Sequence, residues 1–274
     1  MNILEEILYW LQGTMERPKP YGWFHLMWIS LVIGLIIILL ITKKRNNEKR
    51  LKVILGVYGF IALLLELIKQ VIWSFNYDLV TNFVNWDYQW YSFPFQLCST
   101  PIFISLICLF MKKNKVRNSL LSYMAFVTIL GSLVTMIIPD SCFVETIEVN
   151  IHTMWLHCGS FVVSIYLLMS KEVSLKKQNL IQAILVFLIF VSFALLLNII
   201  VYNLQILNGE EFNMFYISPY FVSTLPVFNI LQESLPYPLY LLTYVSVIIT
   251  GACFVYFISL VIKTLFSKKL KMVK

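Results

Sequence analysis

Charge is what this chain has least of. Asp, Glu, Lys and Arg make up only 13% of its 274 residues, against 59% hydrophobic side chains and a mean hydropathy of +0.80. A water-soluble domain carries about a quarter charged residues, so the solvent of this chain is lipid. Glycine and proline number nine each, and the chain shows no 20–50-residue repeat and no low-complexity tract. Cysteine occurs five times. The count is odd, and Cys98, Cys108, Cys158 and Cys253 fall inside apolar runs with only Cys142 in a loop, which argues against a disulfide framework. No cofactor and no metal is expected.

The formal charge of +7 and pI near 9.1 would suit nucleic acid, but the cations sit in short blocks between apolar runs. That is the pattern of topology signals beside anionic headgroups, and nucleic-acid binding is excluded on it. Runs long enough to cross a hydrocarbon core, at roughly 20 residues each, fall at 21–42, 53–76, 93–111, 118–138, 150–170, 179–202 and 237–262. The expected fold is therefore all-α, a single transmembrane domain over 1–274 with about seven membrane-spanning helices. Lys and Arg crowd the connections after the first, third, fifth and seventh runs, whereas loops 77–92, 139–149 and 203–236 contain none. The positive-inside rule then places the N-terminus outside and the C-terminus in the cytoplasm, with Arg17 and Lys19 dissenting. A multi-pass protein of the cell membrane is expected, in contact with membrane lipids; protein partners are not indicated.

Residues 1–20 read as an interfacial helix broken by Pro18 and Pro20: Ile3, Leu4, Ile7, Leu8 and Leu11 share a face, with Glu5 and Glu6 off it. The missing positive n-region argues against a signal peptide. Loop 203–236 is mostly apolar but interrupted by Pro219, Pro226 and Pro236, so re-entrant or surface-lying segments are expected, with the capacity to form a lid. Tyrosines and tryptophans of the outer loops read as an interfacial belt.

The stretch Phe93-Pro94-Phe95-Gln96-Leu97-Cys98-Ser99-Thr100-Pro101 stands apart from its aliphatic neighbours. Ser92 is a plausible N-cap with Pro94 in the first turn, and Pro101 frees the carbonyl of Leu97, so a kink is expected beside the thiol. Counting about 1.5 Å per helical residue puts Cys98 roughly 7 Å and His157 roughly 10 Å below the outer surface, with Glu66 and Lys69 roughly 10–15 Å deep. His25, Asn198 and Asp140 lie at the same side, while the opposite halves of the runs carry no Asp, Glu, Lys, Arg or His. A charged pair within a span is costly and marks a cavity or pathway as readily as mutual neutralisation. A lone transmembrane cysteine usually packs as a small hydrophobe. His157 is deep enough to need a partner, whereas His152 and His25 suit a wetted interface.

In order along nearly the whole chain, several pieces resemble one family. They are Phe24-His25-Leu26, Glu66, Phe93 to Ser99, Pro139-Asp140, His152 and His157 with Tyr166, Phe212 to Tyr216, and Pro236 to Tyr240. The resemblance is to the YwaF-type bacterial integral membrane proteins, related to a eukaryotic transmembrane cysteine acyltransferase of ether phospholipids. It implies six to seven helices and a catalytic cysteine and histidine on the third and fifth spans, here Cys98 and His157. Gln96 stands where a histidine is often found in such proteins, and His152 competes with His157 for the histidine place.

The function expected on these grounds is a membrane-embedded acyltransferase or lipid hydrolase, with the Cys98 thiolate attacking a lipid ester. Gln96 or Ser99 would donate to the oxyanion, and His25, Glu66, Lys69, Asp140 and Tyr240 would line the substrate site or support it. The alternative is a small-solute transporter or receptor with Glu66, Lys69 and Asp140 along a pathway and Cys98 merely packed. A purely structural membrane partner is the third.

Overall fold

A computed structural model describes residues 2–42, 47–78, 80–81, 83–139 and 142–272. Asp140 lies outside the described residues. The chain opens with α1 (Ile3–Leu11), where Asn2 and Glu5 cap one another reciprocally through side chain and backbone, satisfying two donors that a helix start leaves unpaired. Leu8 packs against Ile72, Phe75 and Val149, and Gln12 Nε2 donates to the carbonyls of Ile72 and Phe75. These contacts lay α1 across the end of the third helix.

The spans follow as α2 (Trp23–Ile41) and α3 (Glu48–Ser74), a hairpin of β1 (Phe75–Asp78) and β2 (Phe83–Trp86), then α4 (Thr100–Phe110) and α5 (Lys115–Tyr123). A π turn over Met124–Thr128 leads directly into α6 (Ile129–Ile137), followed by α7 (Ile147–Met169), α8 (Lys177–Asn203), α9 (Phe228–Ser234) and α10 (Tyr237–Met272). Among the described residues six helical stretches are long and apolar enough to cross a membrane: Trp23–Ile41, Glu48–Ser74, Lys115–Ile137, Ile147–Met169, Lys177–Asn203 and Tyr237–Leu265. The chain is an all-α, multi-pass membrane protein.

The expected third span differs. Only Thr100–Phe110 is helical, and Ser92 does not cap it. Ser99 is the N-cap, with Pro101 in the first turn, where its missing N–H costs no hydrogen bond. The carbonyl of Leu97, expected to be orphaned at a mid-helix kink, instead accepts the hydroxyl of Thr100 at 2.8 Å. The segment still travels the height of the bundle, antiparallel to α3. Ser92 O accepts Gln70 Nε2 at 2.6 Å, Leu106 and Leu109 lie against Gly59 and Gly56, and Lys113 and Arg117 pair with Glu48. Gln70 to Glu48 is about 33 Å of helix. A half-irregular strand of chain therefore covers a distance its neighbours cross as continuous helix.

The main core gathers side chains from α3, α4, α5, the π turn, α7, α8 and α10, with Phe212, Met214, Phe215 and Ile217 of the last long loop among them. At the π turn the carbonyl of Met124 accepts two hydroxyls, Ser164 at 2.7 Å and Thr128 at 3.1 Å. α2 and α10 are the least covered spans and turn Leu31, Ile33, Ile37, Phe254 and Phe257 outward, as helices facing lipid do.

Candidate functional site

Cys98 sits in a tight turn ahead of α4, not inside a helix. Gln96 N donates to Ser99 Oγ at 2.8 Å, while Ser99 Oγ and N both donate to Gln96 O at 3.0 Å. The turn thus closes on itself around Leu97 and the half-buried thiol. Lys69, Glu66 and Cys142 are near enough to act electrostatically on that thiol.

Above the turn lies the loop between α8 and α9. Phe212, Met214, Phe215, Ile217 and Ser218 are buried, so the segment dips into the mouth of the bundle. Gln96 Nε2 donates to Asn213 O at 2.9 Å, and Gln96 Oε1 accepts Phe215 N at 2.7 Å. Asn198 repeats this two-way clasp on Met214, donating to its carbonyl at 3.0 Å and accepting its N–H at 2.7 Å. Tyr240 and Tyr237 hold the carbonyls of Tyr216 and Ile217 at 2.6 and 2.7 Å. Phe215 and Tyr216 have φ of 57° and 58°, a left-handed backbone costing about 1–3 kcal/mol per residue unless the surroundings over-determine it. The amide clasps and phenols supply that determination. Burial raises the Tyr216 phenol above its ordinary range, with the Cys98 and Cys142 thiols contributing less.

The charged residues meet between α3 and α7. Glu66 Oε1 accepts Lys69 Nζ and Gln70 Nε2, each at 2.7 Å. Glu66 Oε2 stands 2.9 Å from His152 Nε2, within ion-pair distance but off the hydrogen-bond direction. Lys69 Nζ reaches Ser92 O at 3.4 Å and lies 5.7 Å from the centre of the Trp73 ring. Glu148, one turn before His152 on α7, is buried with neither carboxylate oxygen hydrogen-bonded. His157 Nδ1 is likewise buried without a hydrogen-bond partner. In the adjoining loop, burial and then the charges of Glu66 and Glu210 raise the Tyr88 phenol above its usual value.

The structure therefore brings Glu66 and Lys69 together with His152. It joins Gln96, Ser99 and Tyr240 to the turn and cover around Cys98. Gln96 and Ser99 are engaged in that scaffolding through the bonds above, where the sequence suggested oxyanion donors. His25 stands elsewhere: its Nδ1 accepts Tyr21 N and its Nε2 donates to Met136 O, both at 3.0 Å, tying the start of α2 to the end of α6. With Nδ1 accepting, the proton belongs on Nε2.

Three features escaped sequence reasoning. The β1–β2 hairpin was visible only as an aromatic loop, although Asp78 and Thr81 supply its turn chemistry through a 2.6 Å hydroxyl bond. Glu148 reads as a loop residue until α7 is seen to begin at Ile147. The partnership of His152 with Glu66 needs α3 and α7 packed together. Among the described residues no His, Cys, Asp and Glu group is arranged to hold a metal ion.

No curated protein and no solved structure matches the chain. A family model described as the TMEM164 family matches residues 20–257, from the turn before α2 to well inside α10. That range takes in the Cys98 turn, the ionic cluster and the buried loop, and the chain belongs to the TMEM164 family.

Proposed function

We propose that this protein is a membrane-embedded acyltransferase or lipid hydrolase in which Cys98 is the nucleophile and His157 its base. The observation that carries the reading is the turn at 96–99: it takes a cysteine out of helical structure and sets it near Lys69 and Glu66, beneath a loop hung from Gln96 with Phe215 and Tyr216 at positive φ. The resemblance to YwaF-type proteins, and through them to a cysteine acyltransferase of ether phospholipids, supports the same pair.

The chemistry has two halves. His157 takes the Cys98 proton, and the thiolate adds to the ester carbonyl of a phospholipid. Collapse breaks the ester C–O bond, His157 returns the proton to the departing alkoxide, and a lysolipid leaves behind an acyl thioester on Cys98. An alcohol or water then takes the acyl group and restores the thiol. Loops free of Lys and Arg at this end fit the outer leaflet of the cell membrane as the side from which lipid enters, with the N-terminus outside.

The test is purified protein incubated with a phospholipid carrying a fluorescent acyl chain. A hydroxylamine-labile protein adduct is expected, absent in Cys98→Ala. Acyl transfer that persists in Cys98→Ala overturns the reading.

A further inference from the structure

We infer that His152, held by Glu66, forms a second proton-handling site, separate from His157, where a hydroxyl-bearing acyl acceptor gives up its proton. The inference rests on the acyl-thioester reading above and assigns its second half.

Glu66 Oε1 is occupied by Lys69 and Gln70, and its other oxygen faces His152 Nε2 at 2.9 Å. The contact lies off the hydrogen-bond direction, but a carboxylate that close favours the imidazole hydrogen on Nε2 electrostatically, which leaves Nδ1 with a lone pair. That atom is buried and unpartnered. Four residues earlier on the same helical face, both oxygens of Glu148 are also buried and unpartnered. Glu148 is 7% and His152 4% exposed, so bulk water does not satisfy them. Buried acceptors left empty cost free energy, and three acceptor atoms on one face are complementary to an O–H donor.

Placement separates the two histidines. His157 lies about 7.5 Å further along α7 and is turned about 140° around it, so the rings address different sides. The His152 side is the end where Lys69 and Gln70 lean on Ser92 O and where the loops lack Lys and Arg. A polar alcohol or water arrives there from the headgroup region, whereas the ester to be cleaved arrives with its chains in the bilayer.

In the assigned step the acceptor oxygen bonds to the thioester carbonyl carbon as its proton passes to His152 Nδ1, and Glu66 stabilises the imidazolium. The tetrahedral intermediate then collapses, the C–S bond breaks, and the Cys98 sulfur recovers the proton. The products are the acylated acceptor, or a fatty acid when water reacts, and the original thiol. This is the logic of a base oriented by a third group, applied to release of the chain.

The experiment follows the Cys98 thioester in full-length protein in lipid nanodiscs, using a fluorescent-acyl phospholipid with a lysophospholipid or water as acceptor. His152→Gln is expected to form the thioester at the wild-type rate but to discharge it about 100-fold more slowly, so the adduct accumulates. Hydroxylamine, which attacks thioesters without a base, is expected to discharge mutant and wild type equally. Glu66→Gln shifts discharge in the same direction, read as the rate of loss of thioester already formed because Glu66 also acts on the Cys98 thiol, and decides the matter should His152→Gln not fold. Discharge at the wild-type rate, or loss of thioester formation in folded His152→Gln, overturns the assignment. Absence of any thioester in the wild type overturns the acyl-transfer reading instead.

Discussion

Gln96 and Phe215 are 119 residues apart, yet the side-chain carbonyl of the first accepts the backbone N–H of the second at 2.7 Å. With the bond from Gln96 Nε2 to Asn213 O, the amide two residues before Cys98 suspends the buried loop that covers it. Gln96→Ala leaves two backbone groups without partners, at about 1–3 kcal/mol each if they stay buried. We expect faster hydrogen exchange across 212–218 and a lower Tm. Gln96→Glu keeps the acceptor for Phe215 and loses the donor to Asn213, so it should fall between the two. Unchanged exchange in Gln96→Ala would show that Asn198, Tyr237 and Tyr240 hold the loop by themselves.

His25 is one of three histidines, but its ring is spent on Tyr21 N and Met136 O. His25→Phe should reduce stability by about 2 kcal/mol, the cost of two lost buried partners offset by aromatic packing on Phe143. The amount of Cys98 thioester formed per folded molecule should not change. A folded His25→Phe variant that loses the thioester would return this residue to the reactive site.

Gly159 gives a steric prediction. A β-carbon there would lie 2.6 Å from Cδ2 of Tyr58, and the Tyr58 hydroxyl donates to Leu156 O at 3.2 Å. Alanine ordinarily favours a helix over glycine by about 1 kcal/mol. Here Gly159→Ala should instead destabilise by about 1–3 kcal/mol through overpacking, while Gly34→Ala, where nothing lies within 4 Å, should be neutral or stabilising. Thermal melts of the two variants side by side check the contrast.

Glu172, in the loop between α7 and α8, titrates above the ordinary glutamate value because burial disfavours its charge. One of its oxygens has no hydrogen-bond partner. A carboxyl whose folded pKa is raised contributes stability below its unfolded pKa, near 4.3, and that contribution is lost as pH rises through the folded value. Glu172→Gln should therefore raise Tm at neutral pH and leave it nearly unchanged near pH 4. An equal shift at both pH values would assign the effect to packing.

The membrane class was legible in the sequence because hydropathy is summed over about 20 residues and tolerates local error. Runs 21–42, 150–170 and 179–202 match α2, α7 and α8 to within a few residues. The third run failed locally: Pro94 and Pro101 each fit a helix start, and only the bond from Thr100 to Leu97 O decides for the later one. Pairings across the bundle were less accessible still. Glu66 and Lys69 announced themselves by being charged inside an apolar run, but which histidine they meet depends on the rotation of α7. Gln96 stands out in the sequence as polar, but its hold on Asn213 and Phe215 is not legible there, because the groups that claim its amide belong to a loop more than a hundred residues away.

The clasp at Gln96 also makes the molecule its own safety catch. The same short turn carries the sulfur and hangs the cover, so on the proposed function a lipid tail that displaced the cover would disturb the seat of the thiol in one motion. In the resting bundle the loop leaves that sulfur only partly open to water-borne oxidants and alkylating agents. A membrane-permeant thiol reagent supplied with lipid would find it sooner than one supplied in buffer.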